Sequence, residues 1–426
     1  MRTEKLTAVK ILVASFCAML AVCLGLLVGV HLIPSRCLYP HASSSLTALD
    51  GEGLKYKVAG FPLFRLDNFT DALMVSVAVS AGGDDPLHAA LQNSYAVQDD
   101  RMSVVEATQD WMAGRREGVT QIPYARYWHG YLVVLRPLLL ATDWSGIRVV
   151  NCICFAVLLC CLCIVLRRCG SRRLFWCFLA SAAAVNIGLV PLSMQFSSVF
   201  YIAFSAMIYL LIYKDRMRAT HRMLPFFMVT GGLTAFFDLL TTPLVTLCLP
   251  LIVYLSEVRT AGRRAALFGA CAGWGAGYAL MWAGKWLLAG WLTGFDIAGD
   301  ALQQVMVRTS TEYDGFDMSL AGIGSFALRQ AAARPWLAVA ALAVAVAFAA
   351  FTLWCRRTHR QRFRDNSWLL IVAAMPVAWC LLVRNHSVIH YWFVWRVFVV
   401  TIFALLLFFV SVLSGDRDGS PEVRKE

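Results

Sequence analysis

Charge is what this 426-residue chain has least of: Asp, Glu, Lys and Arg together make up 15% of it, where an ordinary soluble domain carries about 25%. With 59% of its residues apolar and a mean hydropathy of +0.64, a water-soluble globule is excluded and most of the chain belongs in a bilayer. Disorder is excluded by the same figures, and no internal repeat or low-complexity tract is present. There is no glycine-rich loop of the kind that cradles nucleotide phosphates, and no H-E-x-x-H pair to hold a protease zinc. A cleavable signal peptide is not expected either. The first apolar run is too long and lacks a small-residue cleavage site at its end, so it reads as a retained span.

Fourteen cysteines are present, but not in a metal-binding pattern. Cys152, Cys154, Cys160, Cys161, Cys163, Cys177, Cys248, Cys271 and Cys380 lie inside apolar runs, where a thiol packs as a small hydrophobe. The stretch from Cys152 to Cys163 has no His or carboxylate among its thiols, which argues against a metal.

About 20 apolar residues cross the hydrocarbon core as a helix, and ten stretches qualify: 11–33, 147–166, 174–192, 196–213, 224–238, 240–256, 265–291, 336–354, 367–383 and 391–413. The expected fold class is an all-α polytopic membrane protein. The net charge of +12 then resolves into an orientation. The N-terminus and segments 167–173, 214–222, 257–264, 355–365 and 414–426 carry 22 basic and eight acidic residues, a net of +14; the remainder carries 16 basic and 18 acidic, a net of −2. All six fall on one side of a ten-span arrangement, predicting cytoplasmic termini in the plasma membrane. Nucleic acid is therefore not an expected partner, despite the basic balance. Residues 127–141, interrupted by Arg136-Pro137, would invert every later loop if counted as a span, and are expected to lie as a helix at the interface.

The organisation that follows is an N-terminus and first span (1–33), a long extracytoplasmic loop (34–146), spans two to seven (147–291), a second loop (292–335), spans eight to ten (336–413) and a cytoplasmic tail (414–426). A loop of over a hundred residues needs helices of its own. Residues 69–81 and 103–113 are expected to supply them, the latter opening on a Ser103/Glu106 capping box, with a turn at 82–86.

Polar groups near the hydrocarbon are the candidates for chemistry, because a bilayer discourages them. Asp238 lies at the junction of two short spans. Lys285 lies about two turns from the end of the seventh span, where it either holds a phosphate or serves as a structural or snorkelling cation. Arg384, Asn385, His386 and His390 cluster at the outer end of the ninth span, the two histidines sharing one helix face. Asp67 and Asp71 fall four residues apart, again on one helix face, where an acid serves as a helix cap or as a general base.

Several runs in the first half of the chain carry a resemblance. They are Tyr124-Ala-Arg126-Tyr-Trp-His129-Gly-Tyr-Leu-Val-Val-Leu-Arg136-Pro137, Trp144-Ser-Gly-Ile-Arg148-Val-Val-Asn151, the basic-Gly turn Arg167-Arg-Cys-Gly-Ser-Arg-Arg173, and Pro191-Leu-Ser-Met-Gln195. Together they resemble the GT-C superfamily of integral-membrane glycosyltransferases, in its protein mannosyltransferase and aminoarabinose-transferase branch. The resemblance implies a GT-C-like fold and transfer of a sugar from a polyprenyl-phosphate carrier to an extracytoplasmic acceptor on glycan, lipid or protein. The family's catalytic base maps onto Asp67, with Asp71 beside it. Where the family has a second acid after the Pro-Leu segment, this chain reads Gln195-Phe-Ser-Ser, and Asp71 or Asp238 could replace it in space. Arg126, His129, Arg136, Asp238, Lys285, Arg384, Asn385, His386 and His390 are the expected contacts to donor phosphate and substrate. No cofactor is indicated, although a divalent cation is left open; membrane lipids are the remaining expected partners. A flippase of lipid-linked glycans and a catalytically silent glycan-binding scaffold stay open as alternatives. A transporter would be expected to show paired halves, and the sequence has none.

Overall fold

In lipid a backbone satisfies its polar groups only within itself, and each of the ten apolar stretches accordingly winds into helix. The computed structural model describes residues 2–61, 64–80, 85–98, 103–259, 262–313, 315–333 and 335–414. The architecture is all-α and polytopic, with two short antiparallel ribbons, Tyr95–Gln98 against Val119–Ile122 and Glu312–Tyr313 against Phe316–Asp317.

Among the described residues five helices are long and apolar enough to cross a membrane: Val9–His31, Trp144–Cys169, Met194–Ile212, Ala338–Thr358 and Tyr391–Ser414. The pair Arg360–Asn366 and Trp368–Leu382, bent by 49°, makes a sixth if it counts as one span. The other expected spans are helices of a different character. Arg172–Ala184 stops at Asn186, whose backbone is left-handed, and resumes as a 3-10 turn over Ile187–Leu192. Leu244–Val253 is buried along its whole length, so its neighbours surround it on every face. Thr220–Phe237 and Arg263–Thr293 pack together through small residues. A Cβ at Gly231 would overlap the Trp274 carbonyl, and one at Gly277 the Met228 carbonyl, the close backbone approach that small residues four apart permit. Gly277→Ala is expected to destabilise by about 1–3 kcal/mol, since the two backbones must part; thermal melting in micelles would read it.

Three of the basic segments, 167–173, 257–264 and 355–365, lie near one another at one pole. Ser171 N donates to Glu257 Oε1 at 3.0 Å, Arg264 Nη2 to Ser367 Oγ at 3.1 Å, and Arg362 Nη1 to the Val412 carbonyl at 3.4 Å. The opposite pole is covered by the 34–146 segment, which supplies the helices Tyr39–Glu52, Asn68–Ser80, Pro86–Gln92 and Val104–Met112. The Ser103/Glu106 capping box is present. Of the turn expected at 82–86, residues 82–84 lie outside the described residues, and Asp85 caps the helix that begins at Pro86. The helix Leu132–Ala141 has ten residues, about 15 Å, half of what a crossing needs.

Candidate functional site

Asp67 stands one residue before the Asn68–Ser80 helix, and its carboxylate accepts from Thr70 N at 3.3 Å and Thr70 Oγ1 at 2.9 Å. One turn on, Asp71 is fully buried. Its carboxylate accepts from Ser193 Oγ at 2.8 Å and Gln195 N at 3.4 Å. The segment that holds Ser193 is fixed by the Trp144–Cys169 helix: Asn151 Nδ2 donates to the Pro191 carbonyl at 2.8 Å and Arg148 Nε to the Leu192 carbonyl at 2.9 Å. Arg148 also ties the first loop down through Glu52 Oε1 at 2.5 Å and Asn68 Oδ1 at 2.9 Å. Asp71 therefore sits against the Pro191-Leu-Ser193 turn and the start of the helix that holds Gln195.

Burial raises the pKa of both acids. Asp71 is pushed up to about 7, first by desolvation and then by the Asp67 charge, against the opposing pull of the Ser193 hydrogen bond and Arg148. For Asp67 desolvation again raises the value, opposed by the Thr70 bonds and Arg65. The sign for stability follows. A carboxyl whose folded pKa exceeds its unfolded value of about 3.9 favours the fold when protonated, so its contribution is full below pH 4 and is lost as pH rises toward 7. Wild-type melting temperature is expected to fall over that interval, and Asp71→Asn to flatten the fall; parallel curves would remove Asp71 as the source.

A second cluster surrounds His386. Its Nε2 meets the Leu240 carbonyl at 2.9 Å and its Nδ1 meets Arg308 Nη1 at 3.0 Å, while Arg308 Nη2 donates to the Tyr127 hydroxyl at 2.7 Å. Burial pushes the His386 pKa well down, so the ring is neutral. Asn385 Nδ2 donates to Ser310 Oγ at 2.8 Å. Asp238 anchors the turn beneath by accepting from Thr241 N at 3.0 Å, and Leu240 takes a left-handed backbone there, φ +65°. A branched side chain pays for that conformation. Leu240, Arg126, Tyr127, Tyr278, Trp282 and Arg308 help to line a cavity of about 340 Å³. Arg126 is also paired with Asp300 at 3.0 Å.

The two clusters meet at Arg65, whose guanidinium lies 3.7 Å over the Trp392 ring and acts electrostatically on both Asp67 and His390. His390 is 5.4 Å from Trp392, ring to ring, and stacks on Phe393 at 5.1 Å. Arg384 begins the short helix Arg384–Ile389, and its Nε has no partner.

Three of the expected substrate contacts hydrogen-bond within the protein, mostly to backbone carbonyls. Lys285, 0% exposed, donates to the Leu91 carbonyl at 2.7 Å and the Ala90 carbonyl at 3.2 Å, at the C-terminal end of the Pro86–Gln92 helix. Arg136 donates to the carbonyls of Val30 at 2.9 Å, Ala78 and Ile33. His129, at φ +57°, meets the Tyr131 hydroxyl and the Tyr124 carbonyl, each at 2.9 Å. These groups secure helix ends and a turn. Among the described residues no three His, Cys, Asp or Glu gather as a metal-binding set.

One apolar cavity, of about 350 Å³, lies beside the Ser193–Gln195 turn and is lined by Asn151, Met194, Ser197, Ser198 and Phe237 among others. A second, of about 820 Å³, shares Tyr201 and Ile202 with it but runs away from the acids, toward His221 and Arg222 of the basic segment 214–222. Compared with protein-family models, curated proteins and solved structures, the chain matches none, and its chemistry is read from the site itself.

Proposed function

We propose that the chain is a membrane glycosyltransferase that takes a sugar from a polyprenyl-phosphate donor and passes it to an acceptor hydroxyl outside the cytoplasmic membrane. The observation that carries this reading is the buried pair Asp67 and Asp71, the second joined to the Ser193–Gln195 turn, beside an apolar cavity able to take part of a lipid chain. Asp67 acts as the general base. It removes the acceptor proton, the freed oxygen attacks the anomeric carbon from the face opposite the phosphate, and the glycosidic C–O bond breaks with its electron pair leaving on the prenyl phosphate, so configuration inverts. Asp71 replaces the acid that the Gln195 segment lacks and holds the turn that faces the donor.

The fold in this reading is GT-C-like with ten spans, and the side that bears segments 167–173, 257–264 and 355–365 is cytoplasmic, following the positive-inside rule. Both termini then lie in the cytoplasm of the cell that bears the protein in its plasma membrane, and the acids face outward. The test is transfer of a labelled sugar from polyprenyl-phosphate donors to envelope glycan, lipid or peptide acceptors by the purified protein in nanodiscs. Release of free carrier lipid in step with labelled product supports the reading. Movement of intact donor across the bilayer with no product would overturn it in favour of a flippase.

A further inference from the structure

At the head of the last span, buried hydrogen-bond donors stand without acceptors among the described residues. Arg396 is 1% exposed; its Nη1 donates to the Trp392 carbonyl at 3.0 Å, but Nε and Nη2 meet no acceptor. The Trp392 indole N–H, in a side chain 8% exposed, has none either. Arg65 Nε is a third orphan, on the guanidinium that covers the Trp392 ring, and His390 Nδ1 beside that ring is a fourth group without a partner. Among the described residues no carboxylate forms an ion pair with Arg396 or Arg65.

Buried polar groups are ordinarily satisfied, and a buried cation left without an opposite charge is among the costlier things a fold can retain. The rings of Phe196 and Trp395, 5.0 and 5.4 Å from the Arg396 guanidinium, offset part of that cost. They do not accept the in-plane N–H groups, which a guanidinium presents as a rigid fork suited to oxyanions. Among the described residues this cluster supplies donors and positive charge and leaves them without acceptors, so its complement carries negative charge and several acceptor oxygens. A tetrahedral phosphate answers to both.

We propose that Arg396, Arg65 and Trp392 form a binding site for a phosphate group, with His390 at its edge. The group is a phosphate monoester or diester, borne by a lipid or free in solution. The site's position at the start of Tyr391–Ser414, where a span meets water, is open to either source. The proposal stands whether or not the chain transfers a sugar, and binding is measured without any transfer reaction.

The experiment is a melting titration of the full chain in neutral detergent with three probes: farnesyl phosphate, farnesol and inorganic phosphate. Farnesyl phosphate is expected to raise the melting temperature and farnesol to leave it unchanged. Stabilisation by inorganic phosphate at equal concentration identifies a free anion as sufficient; stabilisation by the farnesyl ester alone identifies a lipid headgroup. Arg396→Met is expected to weaken binding by about ten- to a hundredfold, the worth of charged hydrogen bonds, without lowering the melting temperature of the unliganded protein, because an uncompensated charge is removed. Arg65→Gln, at a half-buried position, is a second variant that spares the interior, and is expected to weaken binding less. The proposal fails if neither phosphate probe stabilises the wild type, or if farnesyl phosphate stabilises wild type, Arg396→Met and Arg65→Gln equally.

Discussion

Asp67→Asn is expected to lower sugar transfer by about 10²- to 10⁴-fold, the usual worth of a positioned general base, in a protein that still folds. Asparagine is nearly isosteric, and its side-chain oxygen can accept from Thr70 N or Oγ1 as the carboxylate does, so the start of the Asn68–Ser80 helix is kept. What is lost is the site for the acceptor proton. The pH profile separates this loss from a structural one. A base works only when ionised, and burial raises the Asp67 pKa, so wild-type transfer should rise with pH through that raised value; residual transfer by Asp67→Asn should lack the step. Asp71→Asn should be milder, because the amide still accepts from Ser193 and holds the turn. If Asp67→Asn transfers normally while Asp71→Asn does not, the base is Asp71 and the assignment made here is wrong.

These residues also mark how far the sequence alone reaches. The i, i+4 placement of Asp67 and Asp71 was legible because it is local, as were the Ser103/Glu106 box and the helical character of the apolar stretches, which follow from periodicity and hydropathy. The nearness of segments 167–173, 257–264 and 355–365 was legible for a similar reason, since the alternation of loops is a property of chain order. How many of the helices meet the criterion for a crossing was not. Leu244–Val253 is as apolar as any span, yet it is surrounded by protein, and hydropathy does not distinguish lipid from a neighbouring helix. Nor did the sequence reveal Arg308, which reaches His386 and Tyr127 from far along the chain, or the lack of partners around Arg396. A side chain's partners depend on tertiary packing, and carbonyl acceptors leave no trace in residue identity. For that reason sequence alone leaves Lys285 between a phosphate ligand and a structural cation, and does not show the carbonyls that Arg136 meets.

Arg136→Met is expected to destabilise the fold by about 3–5 kcal/mol while leaving donor affinity unchanged in the protein that folds. The guanidinium satisfies the carbonyls of Val30, Ile33 and Ala78, which belong to the end of the first span and to the Asn68–Ser80 helix. These are the last-turn acceptors that a helix cannot satisfy internally, and a cation at that end also meets the negative pole of the helix dipole. Losing charged hydrogen bonds of about 1.5–3 kcal/mol each is offset in part because a desolvated charge disappears with them. Arg136→Lys should recover little, since one ammonium cannot reproduce a planar fork that meets three carbonyls. Lys285→Met should follow the same pattern with a smaller loss, about 2 kcal/mol, because two carbonyls of one short helix are involved. Denaturation in micelles and donor titration on the same preparations check both variants. A stable variant with weakened donor binding would return that cation to the substrate site; an unstable one with unchanged binding makes it the fastening between the spans and the 34–146 segment that carries the acids.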